Sequence, residues 1–312
     1  MVRTLAAAAF VASSLLATGA SAQQEWCKSK WGPDDQIGAA NLLNPQRALD
    51  AAKLIKTGKT YSLGVETSSK TPAYGPRSWA IAINQPGQVG GAGLGTSKTN
   101  YNDDIYMGYV GTGSQIDGLG HIGVDNVYYN CHKNSDFVQA NGLTKLGIEK
   151  LPNIVTRGVV LDMAAYFGKE VLDAGTVFNR KEIDEQAAKQ GVEIREGDVV
   201  LFHTGWLSLV GKDDKKYLAG EPGVGVEGAR YLASKNVIAV GADTWGIEVI
   251  PFETTTVFEV HQILIPRNGI FILENMNTAG LVADKAWEFM FVLGHSRITG
   301  GVQGIINPTA IR

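Results

Sequence analysis

The sequence is poor in cysteine, histidine and charge. Only 2 of its 312 residues are cysteine, 5 are histidine, and 19% carry charge. Two cysteines far apart in the chain, Cys27 and Cys131, exclude a disulfide-dense scaffold and a cysteine-rich zinc motif. They are compatible with one disulfide or with two inert thiols, and export of the chain would favour the disulfide.

The charges that are present do not cluster. The net charge is -3, and no run of lysine or arginine occurs. We therefore expect a small-molecule substrate as partner, with neither nucleic acid nor a membrane surface. Neither an internal repeat nor a low-complexity linker interrupts the chain, and a hydrophobic fraction of 44% is enough for a sizeable core.

Long apolar runs are also scarce, and the one that stands out lies at the N-terminus. Arg3 precedes an apolar run from Leu5 to Leu16, and Ala20–Ala22 forms a small-residue cleavage site. This pattern predicts a secretory signal peptide over residues 1–22 and a single mature domain over 23–312. The run is too short to span a bilayer, so we expect a periplasmic or secreted protein; a buried N-terminal helix is the alternative.

Strand-like and helix-like segments alternate through the rest of the chain. Near-continuous apolar runs predict buried strands in RGVVLDMAAY, EGDVVLFHTGW, VIAVGAD and GIFILEN. Helices are predicted from Pro45, between Asn179 and Gly191, over GVEGARYLASKN, and up to Pro266. The alternation indicates an α/β fold. Residues 84–104, rich in Gly, Asn, Gln and Ser, are interpreted as a long loop and a candidate lid.

Two familiar catalytic motifs find no support. Serine hydrolases of the α/β type carry a Gly-x-Ser-x-Gly elbow, which is absent. Gly118, Gly120 and Gly123 do spell Gly-x-Gly-x-x-Gly, which is the sole basis for a nicotinamide oxidoreductase. A dinucleotide site needs a helix after this pattern. The residues that follow, VDNVYYN, start a helix poorly, and with 38 glycines a chance match is the simpler interpretation.

Imidazole and carboxylate groups recur in two regions. Asp117, His121 and Asp125 lie four residues apart, and His261 and Glu274 end a predicted helix and a predicted strand. Such ends can meet at one mouth of an α/β sheet. Their nitrogen and oxygen atoms suit Zn²⁺ or Mn²⁺. Two structural alternatives stay open, because Asp in a glycine-rich turn often caps backbone amides and a lone His is often a core or surface residue.

Several segments resemble the cyclase family of metal-dependent hydrolases, whose members include kynurenine formamidase, isatin hydrolase and a trans-dienelactone hydrolase. They occur in the family's order over nearly all of the mature chain: WGPDDQIGAANLLNP, QIDGLGHIGVDNVYYN, GDVVLFHTGW, GADTWGIEV, HQILIPRNGIFILENMN and EFMFVLGHSRITGGVQGIINPTAI. The resemblance implies a swivelling β/α/β fold with a mixed sheet and flanking helices. It also implies a homo-oligomer, a dimer or a tetramer.

The resemblance carries over to the metal site only in part. In the formamidase branch, His-x-Gly-Thr-His-x-Asp supplies three ligands; here Asp117 stands at the first His and His121 at the second. The branch's Asp falls on Gly123, with Asp125 as a nearby substitute. A further His, which is the branch's acid or base, falls on Val127. The later His and Glu of the family correspond to His261 and Glu274.

We therefore predict an exported metal-dependent hydrolase that attacks the carbonyl of a lactone or of a cyclic or simple amide. A bound Zn²⁺ or Mn²⁺ would lower the pKa of a water from near 15.7 towards about 7 and polarise the carbonyl. We expect Asp117, His121 and Glu274 as metal ligands. His261 is expected as a ligand or proton shuttle, and Asp125 as a ligand or a supporting acid.

The remaining assignments concern the surroundings of the metal. Residues expected to bind substrate or to orient ligands are Gln115, Tyr128, Tyr129, Trp206, Asp243 and Trp245, although plain core packing is an alternative for the two tryptophans. At Gly123 and Val127 the chain lacks the Asp and the His of the formamidase branch. These differences also motivate an alternative function, which is an exported small-molecule binding protein on a cyclase scaffold without turnover.

Overall fold

The computed structural model describes residues 25–84 and 90–312. The predicted signal peptide, residues 1–22, lies outside the described residues. No helix within the described ranges is both long enough and apolar enough to cross a membrane.

The described chain contains a large mixed sheet, three small sheets and flanking helices. The strands are β1 (Thr60–Ser62), β2 (Trp79–Asn84), β3 (Asp103–Gly108), β4 (Gln115–Asp117), β5 (Val138–Gln139), β6 (Gly142–Leu143), β7 (Ile154–Asp162), β8 (Val177–Phe178), β9 (Val199–His203), β10 (Gly223–Val224), β11 (Ala239–Ala242), β12 (Phe271–Glu274), β13 (Glu288–Leu293), β14 (Gln303–Ile305) and β15 (Thr309–Ile311). The α-helices are α1 (Pro45–Ala52), α2 (Asn134–Phe137), α3 (Met163–Tyr166), α4 (Arg180–Gln190), α5 (Asp214–Ala219), α6 (Val226–Ser234), α7 (Glu259–Asn268) and α8 (Ala279–Ala283). Short 3₁₀ helices cover Gly38–Leu42, Tyr129–Cys131, Ile148–Lys150 and Trp206–Leu209.

The large sheet has the strand order β1-β15-β13-β7-β9-β11-β12-β4-β14. Its centre, β7-β9-β11-β12, is parallel, and every other pairing in it is antiparallel. The parallel strands lie between helices and are buried on both faces, which is why their sequences read as continuous apolar runs. The predicted α/β class, with a mixed sheet and flanking helices, is confirmed.

Local sequence signals place most helix ends. Helix α4 begins with a capping box between Asn179 and Glu182 and ends at Gly191, whose φ of 71° is left-handed. Helix α7 differs from the prediction. It starts only at Glu259 and continues past Pro266 before Gly269 ends it. Pro266 has no backbone N–H group, so the helix lacks one i→i−4 hydrogen bond at this position.

The predicted long loop over residues 84–104 is confirmed for residues 90–102, which form no helix or strand, whereas Asn84 ends β2 and Asp103 begins β3. Residues 85–89 lie outside the described residues. Strands β2 and β3 pair into a hairpin that stands apart from the large sheet. The hairpin exposes large apolar side chains, which are Ile81, Ile83, Ile105, Tyr106 and Met107. An exposed apolar surface of this kind is typical of contact regions. The lid and the homo-oligomer both stay predictions.

The two cysteines form a disulfide between Cys27 and Cys131. It joins the first described residues to the 3₁₀ helix that begins at Tyr129. Beside it, the Tyr129 hydroxyl donates a hydrogen bond of 2.5 Å to Asp35. The disulfide and this hydrogen bond together hold the N-terminal segment against the domain.

Loss of this disulfide should destabilise the protein without touching the candidate site. The bond closes a loop of 104 residues, and chain entropy alone predicts a loss of up to about 5 kcal/mol in the free energy of unfolding. Urea unfolding of the Cys27→Ser/Cys131→Ser variant, compared with the oxidised protein, measures the loss. An unchanged unfolding midpoint would contradict the structural role.

Candidate metal centre

Three adjacent strands bring polar side chains together at one end of the sheet. Along β4, side chains alternate between faces, so Gln115 and Asp117 share one face while Ile116 packs in the core. The register of β12 places Glu274 opposite Gln115, and that of β14 places Gln303 opposite Asp117. Backbone pairing therefore fixes two carboxylates and two amides beside one another.

Helix α7 adds His261 to this group from its first turn. The Nε2 atom of His261 lies 3.4 Å from Oε1 of Glu274 and 3.9 Å from Oδ2 of Asp117. On the other side of the ring, Nδ1 makes a short hydrogen bond with Oε1 of Glu248. Because that carboxylate fixes the ring, Nε2 is directed at the two other carboxylates.

The two amides occupy the outer oxygen atoms of the carboxylates. Gln303 donates to Oδ1 of Asp117 at 2.7 Å, and Gln115 donates to Oε2 of Glu274 at 2.5 Å. Oδ2 of Asp117 is buried and has no hydrogen-bond partner among the described residues. An unsatisfied buried carboxylate oxygen is costly, and a cation at this point would satisfy it.

These three side chains meet the requirements of a divalent metal site. Asp117, His261 and Glu274 each offer one donor atom, and the three donor atoms lie within 4.8 Å of one another. All three side chains are buried. Two carboxylate oxygens and one imidazole nitrogen are a donor set used by Zn²⁺ and Mn²⁺, so the residues fit such an ion.

The charges of the cluster shift its pKa values. Burial, together with the negative charge of Asp117, raises the pKa of Glu274 to about 7. Burial disfavours the charged form of His261, but Glu248 and Glu274 outweigh burial and raise its pKa to about 10. Two carboxylates as close together as those of Asp117 and Glu274 need positive charge nearby in a low-dielectric interior. The imidazole of His261 supplies only part of that charge.

His121 lies at the open side of the cluster. Its Nε2 is 3.7 Å from Oδ2 of Asp117, and its side chain is 19% exposed. Burial lowers the pKa of His121, although the charge of Asp117 opposes the shift. A neutral imidazole nitrogen in this position can coordinate a cation or accept a proton.

A cavity of about 140 Å³ opens onto these residues. Its walls include the rings of Tyr74, Trp245 and Phe258 and the side chain of Arg77. The ring of Tyr74 stacks on Trp245 with centroids 4.9 Å apart, and Phe258 packs edge-on against His261. The candidate site thus combines buried metal donors with a small aromatic entrance.

Asp125, expected at the metal site, lies outside the cluster of donor atoms. Asp125 is exposed, at a two-residue turn in which the backbones of Val124 and Val127 bond to each other. Its φ of 49° and that of 59° at Asn126 belong to a tight hairpin turn that favours Asp and Asn. Asp125 is therefore not part of the cluster of candidate ligands, and its role as a ligand or supporting acid stays a prediction.

Tyr128 and Tyr129 also lie away from the cavity. Tyr128 packs edge-on against Phe137, and the hydroxyl of Tyr129 bonds to Ser29 and Asp35 in the N-terminal segment. Their expected role in substrate binding is not supported by these positions. Trp245 does line the cavity, whereas Gln115 contacts Glu274 and acts on its orientation.

Asp243 and Trp206 do not line this cavity, although Trp206 packs in the same apolar cluster as Trp245. Trp206 is fully buried, as in the core-packing alternative. Asp243 accepts hydrogen bonds from Thr204 and from the backbone of Gly205, and a cavity of about 740 Å³ lies beside it and His203. The larger cavity is the weaker candidate for metal chemistry, because the donors around Asp243 already satisfy its carboxylate.

The glycine-rich pattern has a packing explanation. A Cβ atom at Gly118 would lie 2.6 Å from the carbonyl oxygen of Val302, and one at Gly120 would lie 2.5 Å from the side chain of Leu143. The chain after Gly123 continues into the Val124–Val127 turn, without the helix that a dinucleotide fingerprint requires.

Sequence reasoning misses five residues of the site, which are Tyr74, Arg77, Glu248, Phe258 and Gln303. Tyr74, Arg77 and Gln303 come from segments far in sequence from Asp117 and His261, so no local spacing indicates them. Glu248 and Phe258 lie closer to His261 in the chain, but neither forms a recognisable ligand motif with it.

Comparisons with known proteins agree with the geometry. The family model named Cyclase, described as "Putative cyclase", matches residues 61–249. No curated protein matches the chain. A crystal structure of a novel cyclase superposes with a TM-score of 0.83 at 28% identity and covers 93% of this chain and 99% of its own.

Two isatin hydrolases share the fold at lower identity. Isatin hydrolase A from Ralstonia solanacearum has a TM-score of 0.61 at 18% identity, covering 86% of this chain and 98% of its own. Isatin hydrolase A from Labrenzia aggregata, bound to benzyl benzoate, has a TM-score of 0.58 at 17% identity, covering 83% of this chain and 94% of its own.

The role of Glu248 can be tested through metal affinity. In Glu248→Gln the ring of His261 loses the carboxylate that fixes it, and affinity for Zn²⁺ or Mn²⁺ should fall by about 10-fold to 100-fold. Calorimetric titration of the chelator-treated protein measures this change. His203→Gln, at the other cavity, should bind metal like the unaltered protein. Equal affinities in both variants would refute the positioning role.

Proposed function

Because the chain belongs to the cyclase family, we propose that it is a metal-dependent hydrolase of carbonyl compounds. Its substrate is a lactone or a cyclic or simple amide. The observation that carries the proposal is the buried, unpartnered Oδ2 of Asp117, which faces donor atoms of His261 and Glu274. Such a donor set with an adjoining cavity favours hydrolysis over a structural metal site.

The residues of the site have separate roles in this proposal. A divalent ion, Zn²⁺ or Mn²⁺, supplies Lewis acidity that makes a water nucleophilic near neutral pH and polarises a carbonyl. Asp117, His261 and Glu274 hold the ion. His121, at the open side, is the fourth donor. The exposure of His261 is only 3%, so the shuttle role suits it less than the ligand role.

The surrounding polar groups act on the ligands. Gln115 and Gln303 hold the outer carboxylate oxygens, and Glu248 holds His261 in one ring orientation. These contacts keep the side chains that would hold the ion in place beside the cavity. Tyr74, Trp245 and Phe258 exclude water around a compact, flat substrate.

Metal removal tests the reaction. Exhaustive chelation should abolish hydrolysis of lactones such as γ-butyrolactone and of N-formyl or cyclic amides, and Zn²⁺ or Mn²⁺ should restore it.

His121→Ala should lose bound metal in elemental analysis. Full metal occupancy in that variant would remove His121 from the ligand set. Thermal stabilisation by these compounds without any product would favour the alternative binding protein.

We also propose that the protein is exported to the periplasm or medium. The apolar N-terminal run supports this, and the disulfide between Cys27 and Cys131 is typical of oxidising compartments. Expression of the full chain should give a mature protein that begins at Gln23, which intact mass and N-terminal sequencing would show. Retention of residues 1–22 in a soluble cell fraction would contradict export.

A further inference from the structure

Arg77 is the permanent cation of the cavity, and no carboxylate pairs with it. Within the described residues its side chain makes one hydrogen bond, from Nη1 to the backbone oxygen of Gly111 at 3.1 Å, and no ion pair. The residues outside the description, 1–24 and 85–89, contain no Asp or Glu. Among the described residues Arg77 therefore has no carboxylate within ion-pair distance, although buried or half-buried guanidinium groups normally have one.

The guanidinium of Arg77 lies against Gly111, beside Gln115. A Cβ atom at Gly111 would lie 2.7 Å from Nη1 of Arg77 and 3.0 Å from Oε1 of Gln115. Glycine at this point lets the guanidinium approach the amide that holds Glu274. The charge of Arg77 adds to the burial-driven fall in the pKa of His121 and opposes the burial-driven rise in the pKa of Glu274.

The cavity is small enough to bring any occupant to Arg77. Its volume of about 140 Å³ is below the roughly 300 Å³ at which pockets for drug-sized ligands begin. Arg77, His121 and Glu274 are all in its wall. A ligand that presents a carbonyl to the metal donors therefore lies within reach of the guanidinium, whose remaining N–H groups suit a carboxylate in two-pronged geometry.

We propose that Arg77 is a specificity-determining residue that binds a carboxylate of the substrate, so that the site takes compact lactones or amides carrying an anionic group. This inference rests on the proposed hydrolytic function for its substrate class. The carboxylate pairs with Arg77 while the scissile carbonyl of the same molecule faces the metal donors.

A binding experiment tests Arg77 without requiring turnover. Benzoate and benzamide are compact probes of equal shape and different charge. The metal-loaded protein should bind benzoate more tightly, and Arg77→Gln should lower benzoate affinity by about 10-fold to 100-fold with benzamide affinity unchanged. Arg77→Lys should retain part of the preference. Arg180→Gln, an exposed arginine on α4, is the matched control and should behave like the unaltered protein.

A kinetic experiment extends the test to substrates. γ-Butyrolactone and 5-oxotetrahydrofuran-2-carboxylate differ by one carboxylate. Arg77→Gln should raise KM for the carboxylate about 10-fold or more and leave the neutral lactone within about twofold. If neither lactone is hydrolysed, the proposed function fails for this class, and the benzoate experiment still decides the role of Arg77.

Three results would overturn the inference. The first is equal binding of benzoate and benzamide by the unaltered protein. The second is unchanged benzoate binding in Arg77→Gln. The third is an equal loss of both probes together with loss of metal, which would show that Arg77 only positions Gln115.

Discussion

Two carboxylates held side by side in the protein interior are the constraint on which the rest of the site depends. Asp117 and Glu274 are both buried, and burial together with the charge of Asp117 raises the pKa of Glu274 to about 7. Like charges in a medium of low dielectric repel strongly, so this arrangement is stable only with a positive partner. His261, which Glu248 holds in place, supplies positive charge to this pair. The amides of Gln115 and Gln303 donate hydrogen bonds to it.

The sheet supplies the rigidity that keeps the carboxylates together. Strand β4 lies between β12 and β14, and its backbone hydrogen bonds set Asp117 opposite Ile272 on one side and Gln303 on the other. The intervening Ile116 is fully buried, so a shift of one residue in register would expose an apolar side chain and bury the wrong face. Core packing thus fixes the distance between the donor atoms.

The sequence predicted what depends on local or periodic signals. The cap at Asn179 and the left-handed Gly191 marked α4, and continuous apolar runs marked the parallel strands. The ends of a helix and a strand suggested the meeting of His261 with Glu274. The turn that holds Asp125 could have been read from the sequence, because Asp-Asn between two valines is typical of a tight hairpin turn. Glu248 and Gln303 carried no such signal, since strand pairing and loop packing bring them to the site.

The candidate metal donors and the residue proposed to select the substrate lie in different parts of the chain. The metal donors belong to the large sheet and to α7, where packing leaves little freedom. Tyr74 and Arg77 lie in the segment that leads into the exposed β2–β3 hairpin, outside the large sheet. A change in this segment can alter the charge and shape of the cavity without moving the donor atoms of Asp117 and Glu274. The fold can therefore keep one reaction while its substrates differ, which is why likeness in fold alone does not identify the substrate.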